Sequence, residues 1–281
     1  TGGTEADVTF IRLGEDRFYM ITGSGFGVHD SDWIRRPLPK DGSVQMLDMT
    51  SGKAVIYIVG PHSRDVLAAA SESDVSDSEI RFATARDIIV GAAPVLAARI
   101  GYVGELGFEL HIPTEYAAHV YDCLWAAGQS AGIANVGYRA IESLRMEKGY
   151  IYWSGDVTPD YTPIEAGVGF RVHLKAKGDF NGRSVLEAQK SGDLARKLCT
   201  FVTDANLPLT GGETILIEDQ VVSLATSVGF GHSVQKTILR GYLDKAHWDK
   251  TAFTLEVFGE RHPVMRVEGP VYDPENIALK G

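Results

Sequence analysis

Residues 101–113 read GYVGELGFELHIP, in which Phe108, Leu110 and Ile112 alternate with Glu109 and His111. That is the period-2 pattern of a strand with one buried face, so Glu109 points away from the apolar set, toward water or toward a pocket. Glycines 101, 104 and 107 remove side chains beside it, and Tyr102 adds an aromatic face with a polar tip; together they leave room for a flat ligand or another backbone. A carboxylate so placed suits an aminopyrimidine edge. It accepts paired N–H bonds from a ring nitrogen and an exocyclic amine, each worth about 1.5–3 kcal/mol when one partner is charged. Two more acids stand out, Asp7 in an apparent first strand and Asp156 after YIYWSG. The competing reading for each is an ordinary solvated acid. Tyr150, Tyr152 and Trp153 follow a helical segment and precede the polar turn SGDVTPDYTP, where they serve either as core or as walls for a planar heterocycle.

Other chemistries find little support. GSGFG at 23–27 falls short of the G-x-G-x-x-G dinucleotide fingerprint, and no Walker-type loop or G-x-S-x-G elbow occurs. The eight histidines are scattered without metal-ligand spacing, and Cys123 and Cys199 form neither a metal motif nor a disulfide framework. They read as buried thiols of a reducing compartment. A formal net charge of -10 without any Lys/Arg-rich run argues against nucleic acid as a partner. No apolar run approaches the ~18 residues of a membrane span, and no leader-like segment opens the chain.

These residues need elements to hold them. Residues 6–13 and 17–22 predict a hairpin turned at Gly14-Glu15-Asp16, and Phe26 to Leu38 a helix stopped by prolines. VQMLDMT (44–50) and AVIYIVG (54–60) predict a further strand pair, and HSRDVLAAAS a short helix. Residues 80–89 stay ambiguous; residues 94–100 predict a strand leading into the opening motif. Residues 115–131 and 138–148 predict helices, and so does FNGRSVLEAQKSG, with Asn181 as its N-cap and Gly192 as its stop. Residues 196–269 carry only short strand-like runs between Gly, Asp and Pro turns, as in a small antiparallel barrel. The expected fold class is α+β: an α/β domain over 1–192 followed by a β-barrel domain over 193–281.

Four ordered motifs resemble the aminomethyltransferase, or glycine cleavage T-protein, family. GGTEADVT resembles its glycine-glycine segment with a catalytic aspartate, and GYVGELGFEL its G-Y-T-G-E-x-G-x-E-L/I signature. SLRMEKGYIYWSGDVTPDYTPIEAG is similar to its helix-plus-aromatic segment, and DFNGRSVL to its D-F-x-G-K/R-x-x-L motif. GYRAIESLRMEKGY, EAGVGF and YDPEN look closer to the folate-binding C-terminal part of sarcosine and dimethylglycine dehydrogenases. The resemblance implies a tetrahydrofolate-dependent aminomethyltransferase forming 5,10-methylenetetrahydrofolate from an amine-derived one-carbon unit. The alternative is a non-catalytic folate-binding or structural module of a flavin-dependent dehydrogenase. By position it implies Asp7 as the catalytic acid near the folate N10 and Glu109 as the pterin clamp. Tyr102, Tyr150 and Trp153 become pocket aromatics, and Thr22 replaces a pocket asparagine. Ile141 stands where the T-protein has an arginine, leaving Arg139 or Arg145 to hold the folate tail. The family's opening segment would lie before residue 1, so an N-terminally truncated domain is expected. A flavin dehydrogenase domain or lipoyl carrier is the implied protein partner, in the cytoplasm or, in a eukaryote, the mitochondrial matrix.

Overall fold

In the computed structural model, residues 1–176, 178–192 and 194–281 are described. In chain order the main elements are β1 (Thr9–Arg12), β2 (Phe18–Ile21), α1 (Gly27–Arg35), β3 (Lys53–Val59), α2 (Ser63–Ala70), β4 (Ala85–Val90), β5 (Ala93–Ala98), β6 (Gly107–Pro113), α3 (Ala117–Gly128), α4 (Tyr138–Glu147) and α5 (Arg183–Lys190). Then come β7 (Arg196–Thr203), β8 (Thr214–Ile217), β9 (Gln220–Gly231), β10 (Lys236–Asp244), β11 (Ala252–Val257), β12 (Glu260–Val267) and α6 (Ile277–Lys280). They fall into two units, one of Thr1–Asp7 with Gly137–Pro274, the other of Val8–Val136 with Glu275–Gly281. The domain boundary expected after residue 192 has Asp193 on one side, which lies outside the described residues.

The unit containing Val8–Val136 holds an antiparallel sheet in the order β3-β6-β5-β4 and the β1-β2 hairpin. The alternation seen around Glu109 decides which face is which. Ile58, Phe108, Leu110, Ile112, Val95 and Ile88 form one core with Val66 and Leu67 of α2 and with Val120 and Leu124 of α3. Residues offset by one point the other way. Tyr57 stands opposite Glu109 on β3 and Ala98 opposite it on β5, while Val55 and Leu96 flank His111.

The other unit contains a closed six-stranded barrel in the order β10-β7-β12-β11-β8-β9. The strand-like runs expected over 196–269 became its six strands, filled by Phe201, Ile215, Leu239, Leu243, Phe253 and Leu255. Met146 of α4 packs with Val202 and Ile238 on the barrel's outside.

Three local expectations are corrected. VQMLDMT forms no strand: Val44, Leu47 and Met49 are exposed, and Asp48 accepts both the Thr50 N–H and its hydroxyl, folding the chain into a turn instead. The N-cap of α5 is Gly182 at φ +89°, without a side-chain cap bond, rather than Asn181. Asp7 precedes β1, because hairpin pairing begins at Thr9 with Ile21.

Candidate functional site

In the barrel-containing unit, Asp7 ends an extended segment anchored three residues earlier. The Thr4 N–H and hydroxyl both donate to the Tyr161 carbonyl, at 2.8 and 3.0 Å. The Trp153 indole N–H donates to the Thr4 carbonyl at 3.1 Å. Gly3 admits this docking, since a Cβ there would collide with the Pro159 carbonyl. Trp153 thereby fixes the segment that ends in Asp7. Asp7 is itself exposed, yet desolvation by the protein packed around its carboxyl raises it above its ordinary range, and the nearby Arg171 guanidinium offsets part of the rise. A carboxyl tuned upward is suited to passing protons nearer neutrality.

Tyr150 is half-buried, and burial together with Asp273 raises its phenol, which keeps its proton. Asp156 proves neither solvated nor pocket-facing. It has no exposure and accepts from Arg145 Nη1 at 2.9 Å, the Tyr152 N–H at 3.1 Å and the Thr226 hydroxyl at 2.6 Å. Arg145 also donates to Glu142 Oε2 from Nε and Nη2, at 3.0 and 2.8 Å. Further bonds reach the Tyr150 carbonyl and the Ser227 hydroxyl, at 3.2 and 2.9 Å. The guanidinium is committed inside the protein, so Arg145 does not serve as the tail-holding arginine. Arg139 on the same helix is exposed.

The sheet unit holds Thr22, Tyr102 and Glu109. Glu109 is half-buried; its nearest basic neighbour is His111, whose Nε2 lies 3.6 Å from Oε2. Among the described residues no lysine or arginine pairs with it within 4.0 Å. The glycines around it have a different use from the one expected. A Cβ on Gly101 would stand 2.5 Å from the Tyr57 hydroxyl oxygen, and one on Gly107 would stand 2.9 Å from the same ring. These two glycines make room for Tyr57, the cross-strand partner of Glu109, and Tyr102 is half-buried nearby in sequence. Thr22 donates its hydroxyl to Asp30, a buried carboxylate on α1 that also bonds His29 Nδ1 at 2.9 Å.

Two residues that the sequence reading passed over belong to this surface. His111 is fully buried, and the Tyr19 hydroxyl on β2 lies 3.3 Å from its Nδ1. Their one sequence signal is position: His111 follows Glu109 by two residues and therefore shares its face. Neither residue type announces such a role by itself.

This fold and these motifs define a class. Residues 1–176 match the GCVT N-terminal domain and residues 196–273 the glycine cleavage T-protein C-terminal barrel domain. The chain belongs to the glycine cleavage T-protein family, as an aminomethyltransferase-type domain. It is 34% identical over 302 residues to the mitochondrial sarcosine dehydrogenase of Homo sapiens, covering 100% of this chain and 33% of that protein. It is 32% identical over 273 residues to the mitochondrial dimethylglycine dehydrogenase of Homo sapiens, covering 96% and 32%. The chain thus spans about a third of the length of these curated relatives. The crystal structure of the glycine cleavage system aminomethyltransferase T from Bartonella henselae shares the fold, with a TM-score of 0.81 at 23% identity over 97% of this chain and 73% of that one. Among the described residues no helix is long and apolar enough to cross a membrane.

Proposed function

We propose that this chain is a tetrahydrofolate-binding one-carbon transfer module. It delivers an amine-derived one-carbon unit to the folate to give 5,10-methylenetetrahydrofolate, within a 1–192 catalytic domain followed by a 193–281 barrel. The observation that carries the reading is Glu109, a half-buried carboxylate on an aromatic sheet face without a lysine or arginine partner among the described residues. An acceptor of that kind fits the N–H pair of a pterin edge, because a carboxylate offers two oxygens and no donor. Tetrahydrofolate, when bound, supplies N5 and N10 as nucleophiles toward the one-carbon unit. Glu109 orients it, with Tyr102, Tyr150, Trp153 and Thr22 as further pocket residues and exposed Arg139 for the anionic tail. Asp7 passes the proton, and its raised pKa supports that role. The protein contributes orientation and a placed carboxyl rather than a covalent nucleophile.

A second reading, a folate-binding module that works only beside a flavin dehydrogenase domain, draws support from the share of the dehydrogenase relatives that this chain spans. A lipoyl carrier is the alternative partner, and the mitochondrial relatives favour the matrix in a eukaryote. Calorimetry and thermal shift with tetrahydrofolate test both readings. Absence of heat and of any shift at millimolar folate sinks both. Asp7→Asn separates them: under the first reading it keeps folate affinity and slows methylenetetrahydrofolate formation, whereas under the second there is no turnover in the isolated chain to slow.

A further inference from the structure

On the face of the sheet that carries Glu109, a buried atom is left without a hydrogen bond: Nε2 of His111. The imidazole has no solvent exposure. Its Nε2 lies 3.6 Å from Glu109 Oε2, and its Nδ1 lies 3.3 Å from the Tyr19 hydroxyl. The Tyr19 ring meets the imidazole edge-on, with centroids 5.3 Å apart and planes at 84°. The remaining groups on this face are Tyr57 and Lys53 from β3 and Asp87 from β4, but the residues directly opposite His111 are the uncharged Val55 and Leu96.

Proton placement follows from electrostatics. A lone pair on Nε2 facing a carboxylate is repelled, and a buried polar atom without a partner is costly. A hydrogen on Nε2 removes both penalties by pointing an N–H at Glu109. In the neutral ring Nδ1 is then a lone pair, and Tyr19 is the donor to it. Tyr19 is fitted to that role, because burial and then the Glu109 charge push its phenol pKa up and it keeps its proton. The 3.6 Å separation is longer than a hydrogen bond, and such contacts commonly tighten only once a ligand fixes the carboxylate.

We propose that His111 and Tyr19 are positioning residues for Glu109, acting through the chain Tyr19 O–H to His111 Nδ1 and His111 Nε2–H to Glu109 Oε2. The chain holds the carboxylate as an acceptor, with lone pairs left for two ligand donors. It selects against ligands that present an acceptor at that edge. For its ligand the proposal rests on the folate reading above; the proton arrangement does not.

Two-bond ¹H–¹⁵N correlation spectra of the uniformly ¹⁵N-labelled, ligand-free chain at pH 7 test the arrangement directly, with His111 assigned by its loss in His111→Gln. The expected signature is a neutral ring protonated at Nε2; the Nδ1–H tautomer or a charged imidazolium overturns the proposal. Tyr19→Phe is expected to shift the His111 Nδ1 resonance, because that nitrogen loses its hydrogen-bond donor, and an unchanged spectrum removes Tyr19 from the chain. Titration with tetrahydrofolate reads the consequence. His111→Phe should weaken binding at least tenfold, while His111→Gln, which keeps an N–H near the position of Nε2, should stay within about threefold of wild type. Equal affinities for His111→Phe and wild type, or equal weakening by both variants in folded protein, overturn the positioning role. A wild type that binds no tetrahydrofolate defeats the folate reading alone, since the spectra still decide the proton arrangement.

Discussion

Replacing Arg145 with methionine should destabilise the barrel-containing unit more than loss of packing would explain. The guanidinium, 3% exposed, bonds Asp156 at 2.9 Å, Glu142 at 2.8 Å and Ser227 at 2.9 Å, and Asp156 has no exposure at all. Methionine fills most of the volume but withdraws the cation, leaving Asp156 with the Tyr152 N–H and the Thr226 hydroxyl as compensation. Removing one partner of a buried ion pair costs about 3–5 kcal/mol. At roughly 2–4 °C per kcal/mol for a domain of this size, Tm should fall by about 6–20 °C. Urea denaturation followed by far-ultraviolet circular dichroism measures the first figure and calorimetry the second. The decisive comparison is the double variant Arg145→Met with Asp156→Asn, which should recover part of the loss because the buried carboxylate no longer stands alone. A single variant within 1 kcal/mol of wild type, or a double variant whose cost is the plain sum of the two, refutes this reasoning.

Gly3→Ala should cost about 1–3 kcal/mol, the usual range for overpacking, because its Cβ would run into the Pro159 carbonyl. Hydrogen exchange at the Thr4 amide, which bonds the Tyr161 carbonyl, should accelerate in that variant; unchanged protection contradicts the docking. Asp7→Asn should show a pH-dependent stability difference. A carboxyl raised above 3.8 in the folded state stabilises at low pH, and that contribution is lost as pH rises through the folded pKa. The variant escapes the loss, so its Tm relative to wild type should be higher at pH 7 than at pH 4, and a constant difference refutes the shift.

What could be read from the sequence tracks where local pattern and tertiary context agree. The six barrel strands were legible because each short apolar run is bounded by turn residues and each found two neighbours in a closed sheet. VQMLDMT carries a similar apolar pattern but no neighbouring strand, and the Asp48 side chain supplies a competing turn. That Glu109 points away from the core face was legible from alternation alone. Tyr57 was not, since nothing local indicates that Gly101 and Gly107 are kept small for a tyrosine on another strand. Arg145 was a candidate for the folate tail and Asp156 a conspicuous acid weighed against a solvated one, because a sequence does not display burial, and only the packing of α4 on the barrel joins them to Ser227. The pairing of Tyr19 with His111 spans 92 residues, beyond the reach of any local pattern.

The central claim is that Glu109 grips a pterin edge, and the affinity of Glu109→Ala for tetrahydrofolate tests it most directly. Loss of at least one charge-assisted hydrogen bond, each worth about 1.5–3 kcal/mol, corresponds to a Kd at least roughly 10-fold weaker than wild type. Titration calorimetry on the two folded proteins should show that ratio. Equal affinities would return Glu109 to the solvent surface and contradict the account.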